Sequence, residues 1–281
     1  MTSAARLGVD IGGTFTDVVL EYGGGSFSTK VLTTYAAPEN AILDGLARVC
    51  AKAGITPAAI TQIIHGTTLA TNALIERRGA KTAFITTEGF RDVIEMRSEN
   101  RFEQYDLNLV LPEPLVPRHL RFGVKERIRA DGRVEVPLDR TSLDAAIARL
   151  KAADVTSVAV CYLHAYRDPR HERETLEVLE KEMPGVSVSL SSDVLPQIKE
   201  YERVSTTVVN AYVAPLIALY LGRLEERLVE AGFGGPLMII LSHGGVAPVA
   251  EAVRVAAATV LSGPAGGLAG GRRVADILDR P

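Results

Sequence analysis

The chain has 281 residues, 47% of them hydrophobic, and its 31 basic and 34 acidic side chains leave a net charge of −3. That length suggests roughly two domains with ample cores, and so balanced a charge supplies no basic field, which excludes nucleic acid as a main partner. Cys50 and Cys161 lack Cys-x-x-Cys spacing and read as buried thiols in a reducing compartment. No signal-like apolar region opens the chain and no run of about 18 consecutive apolar residues follows, so a cytoplasmic location with no membrane partner is the expectation.

Residues 7–10 and 15–22 are apolar and β-branched and read as two strands joined by Ile11-Gly12-Gly13-Thr14. The bend is expected to rely on φ > 0 at Gly12 and Gly13. Gly23-Gly24-Gly25 makes a second turn before a third strand from Phe27 to Thr34. A helix follows, with Pro38 in its first turn, Ile42, Leu46 and Val49 on one face, and Gly54 as its stop. A strand over 62–65, a helix over 66–77 and a strand over 81–87 complete the order β-β-β-α-β-α-β, that of a ribonuclease-H-like unit with a mixed sheet flanked by helices.

The stretch from about 97 to 137, rich in Arg and Pro, reads as an inserted small subdomain with a hairpin at Asp131-Gly132. Regular α/β alternation then resumes: helices over 143–152, behind a Thr141/Ser142 cap, and 170–183, with strands over 157–161 and 186–190. A long helix spans the apolar positions from Tyr201 to Leu228, and Pro215 is expected to kink or divide it. Strands over 237–241 and 255–261 precede a last helix that starts at Gly263-Pro264-Ala265-Gly266-Gly267 and ends near Arg280. The expected domains are 1–192 and the start of a second over 193–281.

Asp10-Ile11-Gly12-Gly13-Thr14-Phe15-Thr16-Asp17 carries the chemistry. Backbone N–H groups of such a bend, with the Thr14 and Thr16 hydroxyls, suit a polyphosphate, and Asp10 is placed to hold Mg²⁺ through water. No Gly-Lys-Ser/Thr ending is present, so the grip would be a hairpin rather than a P-loop. Asp17 would brace the bend or the attacking group. His65-Gly66-Thr67-Thr68 forms a strand-to-helix junction able to face an anion, although His65 reads equally well as a core histidine and the threonines as caps. Gly263, Gly266 and Gly267 would let a nucleotide approach the backbone of another helix entry. Leu241-Ser242-His243-Gly244-Gly245 is a third glycine turn, its histidine read as structural. Three such strand ends around one crevice make an open α/β ligand site. The polar groups of Ser191-Ser192-Asp193 and Glu200-Tyr201-Glu202-Arg203 read as a solvated or salt-bridged helix end.

These segments, taken with Asn210-Ala211-Tyr212-Val213 and Ser205-Thr206-Thr207, resemble in order and combination the hydantoinase A, 5-oxoprolinase and ketone carboxylase family of the actin, Hsp70 and sugar kinase superfold. The likeness extends over essentially the whole chain. It implies use of ATP with Mg²⁺ to phosphorylate the carbonyl or enolate oxygen of a cyclic amide, imide or ketone, for hydrolysis or carboxylation. It also implies a hydantoinase B-type companion subunit or domain. In the family a second Asp-x-Gly-Gly-Thr loop lies shortly after Gly-Pro-Ala-Gly-Gly, and this chain ends at Pro281 without one. The expectation is therefore the N-terminal portion of a longer subunit, inactive alone. A sugar- or acid-kinase relative and an inactive, nucleotide-responsive assembly module are the competing readings.

Overall fold

A computed structural model describes residues 4–34, 37–98, 103 and 105–279. The chain opens with β1 (Ala5–Ile11), β2 (Phe15–Tyr22), β3 (Gly25–Leu32), α1 (Pro38–Ala53), β4 (Ile60–Thr67) and α2 (Leu69–Ile75). It continues through β5 (Thr82–Thr87), α3 (Val93–Met96), β6 (Arg121–Val124), β7 (Arg127–Ile128), β8 (Val134–Val136) and α4 (Arg140–Ala152). Then come β9 (Ser157–Cys161), α5 (Arg170–Glu182), β10 (Ser187–Leu190), α6 (Ser191–Val194) and α7 (Glu200–Glu230). The last elements are β11 (Leu237–Ile240), β12 (Val246–Pro248), α8 (Val249–Arg254) and α9 (Ser262–Leu278). Two compact units result, one of residues 1–78 with 216–281 and the other of residues 79–215. The position 192/193, expected as a domain boundary, falls inside the second of these units.

The first unit is built on a six-stranded sheet of order β12-β11-β4-β1-β2-β3. β1, β2 and β3 form an antiparallel meander, whereas β1, β4 and β11 run parallel. Strict alternation along β1 buries Ala5, Leu7, Val9 and Ile11 and leaves Arg6, Gly8 and Asp10 on the other face. The buried face receives α1 through Ile42, Leu46 and Val49. A Cβ at Gly45 would come within 2.5 Å of Val18 Cγ2, so bare backbone is what lets α1 lie this close to β2. Gly54, left-handed at φ 67°, ends the helix as expected.

The parallel strand after β4 is β11, not the strand at 82–87. That segment, β5, pairs with β9 and β6 in a separate sheet of order β10-β9-β5-β6, parallel throughout and contained in the second unit. β5 and β9 are buried along their whole length, as strands covered on both faces must be. A continuous apolar run such as Ala83-Phe84-Ile85 marks a strand covered on both faces but does not name its neighbours, so sequence periodicity alone leaves the pairing of this strand open. The stretch from 97 to 137 supplies β6 to this sheet and carries the β7–β8 hairpin, closed at Gly132 with φ 88°; residues 99–102 and 104 of it lie outside the described residues. Asp139 caps α4 by accepting from the Thr141 N–H at 2.9 Å, two to three residues ahead of the expected Thr141/Ser142 cap.

Two further expectations are corrected. Residues 256–259 form a 3₁₀ turn rather than a strand, since the small run Ala256-Ala257-Ala258 has no bulk for a β ladder, and the partner of β11 on that edge is β12. Pro215 neither breaks nor divides α7, which is continuous from Glu200 to Glu230. A proline leaves the carbonyl four residues earlier without its helical donor. Here that carbonyl, Ala211 O, accepts from Ser157 Oγ of β9 at 2.6 Å, and Tyr212 O accepts from the Ala80 N–H at 2.9 Å. Among the described residues α7 is also long and apolar enough by length and composition to cross a bilayer, but 61% of its apolar window is buried within the protein.

Ser157→Ala removes the donor that replaces the lost helical bond and leaves a buried carbonyl unpaired. Its unfolding free energy in urea is expected to fall by about 1–3 kcal/mol. An unchanged midpoint would mean that Pro215 is accommodated in some other way.

Candidate functional site

β1 delivers Asp10 to its C-terminal end on the face opposite α1, where it stands across the ladder from Asp17 of β2 and beside Gly66 of β4. This face floors a cleft of about 530 Å³, with Gly8, Asp10, Asp17, Val19 and Gly66 below and Ser262, Gly263, Gly266 and Gly267 of α9 as a wall. The wall is tied to the β4–α2 junction: Ser262 Oγ donates to Thr67 O at 3.0 Å and the Leu261 N–H to Thr71 Oγ1 at 3.3 Å. Leu261 takes the left-handed φ of 62° to make this entry. Lys30 Nζ pairs with Asp17 at 3.0 Å. Desolvation, and after it the Asp17 charge, hold the Asp10 carboxyl above the usual carboxylate range.

The bend between β1 and β2 is exposed at Gly13 and Thr14 and is not packed shut. Its glycines do not have positive φ, contrary to expectation. Gly12 is instead required by close approach, since a Cβ there would lie 3.1 Å from Phe15 O, while Gly13 has open space around its Cβ position. The Gly12 N–H is committed to Phe15 O at 2.9 Å, so it is not a phosphate donor; Gly13 and Thr14 form the accessible tip. Thr33, just after β3, secures the bend, its Oγ1 donating to Gly12 O at 3.0 Å and its N–H to Thr14 O at 2.9 Å. Thr16 is fully buried and hydrogen-bonds Thr33 Oγ1 at 3.0 Å. It braces the bend and is out of reach of a ligand.

His65 and Gly66 occupy consecutive strand positions and therefore point to opposite faces. Gly66 lines the cleft, whereas His65 is fully buried on the α1 side, where the Tyr220 hydroxyl meets its Nε2 at 2.8 Å. His65 is thus a core histidine and not a nucleotide ligand. Burial drives its pKa down to about 4, the Val9 backbone opposing the shift. Thr67 accepts the Leu69 N–H at 3.2 Å and Thr68 Oγ1 donates to Ile11 O at 3.3 Å. With Gly12 and Gly13 they border a small cavity of about 70 Å³, separate from the large cleft. The Ser242–Gly245 turn closes the β11–β12 hairpin and lies outside the cleft lining; the Gly245 N–H donates to His243 Nδ1 at 3.2 Å.

In the second unit, Arg203 is fully buried rather than solvated, because the carbonyls of Gln197 and Tyr162 accept its Nη1 and Nη2 at 2.8 and 3.0 Å and Tyr166 underlies its guanidinium. Sequence reasoning noted Ser191 and Ser192 nearby but did not single out Glu172, Glu126 or His171. Glu172 accepts from the Tyr162 N–H, Ser191 Oγ and the Ser192 N–H, and its carboxyl is raised by burial. Glu126 is held by the Thr87 hydroxyl and by His171 Nδ1 at 2.8 Å. The adjacent His171-Glu172 pair opening a polar helix was the available signal. Cys161 is buried here and its thiol is pushed up to about 11, mainly by burial, so it is an inert packing group. Among the described residues no cluster of three or more His, Cys, Asp or Glu side chains is disposed to hold a metal.

An α/β protein with a mixed sheet and a glycine-walled, acidic cleft at the strand ends is the class that this architecture defines. The family model described as hydantoinase/oxoprolinase N-terminal region matches residues 6–183, and that described as hydantoinase/oxoprolinase matches residues 203–280. The chain belongs to the hydantoinase/oxoprolinase family. It is 38% identical to the caprolactamase subunit alpha of Pseudomonas jessenii over 267 residues, covering 92% of this chain and 38% of that subunit. The solved ATP-dependent caprolactamase from that organism superposes with a TM-score of 0.86 at 36% identity, over 97% of this chain and 40% of the other. A nucleotide-free structure of acetone carboxylase, from work on ATP-dependent acetone carboxylation, gives 0.86 at 27% identity, over 99% and 41%. The chain thus spans about two fifths of the length of these relatives.

Because the folded pKa of His65 lies below its unfolded value of 6.5, its contribution to stability is complete above pH 6.5 and is lost as pH falls towards 4. His65→Gln is expected to flatten the stability profile in that window by up to about 3 kcal/mol relative to the parent, measured by urea unfolding at several pH values. Parallel profiles for the two proteins would contradict the burial of a neutral ring.

Proposed function

We propose that this chain is the nucleotide-gripping portion of an ATP-dependent enzyme that activates the carbonyl or enolate oxygen of a cyclic amide, imide or ketone by phosphorylation. The observation that carries the reading is the opposed pair Asp10 and Asp17, set in an open cleft with a glycine wall. Like charges directly opposite on a ladder repel, and among the described residues only Asp17 has a basic partner, in Lys30. A divalent cation relieves that repulsion. Mg²⁺ takes one or two protein carboxylates and completes its shell with water and phosphate, so the pair fits it without any larger cluster. When bound, Mg²⁺ would neutralise polyphosphate charge.

In this reading Asp10 orients the cation, Thr14 and the Gly13 backbone meet phosphate oxygens at the exposed tip, and Gly263, Gly266 and Gly267 give backbone-close walls. Transfer breaks the bond from the γ-phosphorus to the bridging oxygen, ADP leaves, and the substrate oxygen takes the phosphoryl group. Such chemistry depends on positioning and charge neutralisation rather than on a reactive side chain, in keeping with the inert Cys161 and the buried His65. The ATP-dependent caprolactamase and acetone carboxylase, and the relative described as 5-oxoprolinase from Dictyostelium discoideum, 28% identical over 96% of this chain and 24% of that protein, support the substrate class. Three relatives are described as subunits, caprolactamase alpha, acetone carboxylase beta and acetophenone carboxylase gamma, which supports a hydantoinase B-type companion. Free, buried Cys50 and Cys161 are in keeping with a cytoplasmic enzyme.

In the full-length protein with its companion, Asp10→Asn is expected to weaken Mg·ATP binding at least tenfold, about 1.4 kcal/mol, by isothermal titration. The raised Asp10 carboxyl also makes protons compete with the cation at a higher pH than at an ordinary carboxylate of about 3.9. Metal-dependent binding should therefore fade early as pH falls, and Asp10→Asn should remove that component. Equal Mg·ATP affinity for the two proteins would refute the assignment.

A further inference from the structure

Gly66 lies in the body of β4, where glycine forfeits packing and conformational entropy. No left-handed backbone calls for it, as its φ is not positive. What does call for it is its neighbour. In the parallel β1–β4 ladder Gly66 is the register partner of Asp10, and a Cβ at Gly66 would stand 3.1 Å from Asp10 Oδ1 and 3.6 Å from Ile240 Cδ1. Ile240 Cδ1 is also 3.5 Å from the position a Cβ would take at Gly266, so this side chain fills the gap between the β4 glycine and the α9 wall. An added methyl at 66 would be confined between a packed isoleucine and a carboxylate. Of the two, the carboxylate at the cleft surface yields more easily.

We propose that Gly66 is a positioning residue for Asp10: its missing side chain is the notch in which the carboxylate rests, and Ile240 sets the depth of that notch. The inference rests on the nucleotide reading above and adds to it a residue that acts on the cation through Asp10 rather than by touching phosphate. Gly66→Ala would move the carboxylate outward by a few tenths of an ångström with little cost to the fold, since the group that gives way is a flexible side chain. Displacements of that size matter where a carboxylate must share a cation with phosphate.

The test is a double-mutant cycle in the full-length protein with its companion, titrating Mg²⁺ at fixed ATP and reading both half-saturation and the unfolding midpoint. Gly66→Ala is expected to raise the Mg²⁺ needed for half-saturation about tenfold, the scale seen when a group supporting a metal ligand is lost, with ATP binding in EDTA and the midpoint unchanged. Combined with Asp10→Asn, it should add nothing. Ile240→Val removes the Cδ1 that confines the new methyl and should restore part of the Mg²⁺ affinity of Gly66→Ala. If Gly66→Ala costs the same factor with and without Asp10, or leaves the Mg²⁺ dependence unaltered, the positioning role is overturned while the nucleotide site stands. If Asp10→Asn itself leaves Mg·ATP binding unchanged, the nucleotide reading fails, and the role of Gly66 with it.

Discussion

Two carboxylates placed directly opposite each other across an antiparallel ladder are an electrostatic liability, and the first unit is arranged around that liability. Asp10 and Asp17 are cross-strand partners on the face that α1 does not cover. Lys30, the register partner of Asp17 on β3, relieves one of them at 3.0 Å, but as an exposed pair it contributes little to stability. Asp10 has no such neighbour in its own ladder, where β4 offers Gly66. An arrangement that leaves a carboxylate repelled and with room beside it makes physical sense when a cation completes it.

The rest of the unit holds this corner rigid. Alternation along β1 places Val9 and Ile11 in the core on either side of Asp10, so the carboxylate cannot leave its face without exposing apolar side chains. Thr33 and Thr16 lock the bend from behind, and the Tyr220–His65 pair fills the core beneath. Ser262 and Leu261 tie the glycine wall to the β4–α2 junction. The second unit obeys the same rule for buried polar groups by other means. Glu172 and Glu126 are surrounded by hydrogen-bonding partners, and the guanidinium of Arg203 gives Nη1 and Nη2 to carbonyls although its Nε has no partner.

Local patterning made much of this legible. The meander, α1 with its Gly54 stop, and the Asp10 to Asp17 motif follow from alternation, helical spacing and glycine placement, and the structure has them where they were expected. What local pattern could not convey is which sheet a buried strand joins. The run at 82–87 says that the strand is covered on both faces but not which strands flank it, and those are β9 and β6, dozens of residues away. His65 shows the second limit. Its neighbours in sequence line the cleft, but a period of two turns the ring into the core, and the β1–β4 register is a tertiary fact. Pro215 shows the third: a helix-breaking residue is tolerated because Ser157, remote in sequence, takes up the orphaned carbonyl.

The central claim is that Asp10, opposed by Asp17 and seated beside Gly66, is where a nucleotide-bound cation rests. A crystal structure of the full-length protein with Mn²⁺ in place of Mg²⁺ and a non-hydrolysable ATP analogue tests it most directly, because anomalous scattering locates the metal without ambiguity. The account predicts a single manganese peak within one water of the Asp10 carboxylate, with phosphate density at the tip formed by Gly13 and Thr14. A metal and phosphates bound elsewhere, with Asp10 and Asp17 facing bulk solvent, would contradict it.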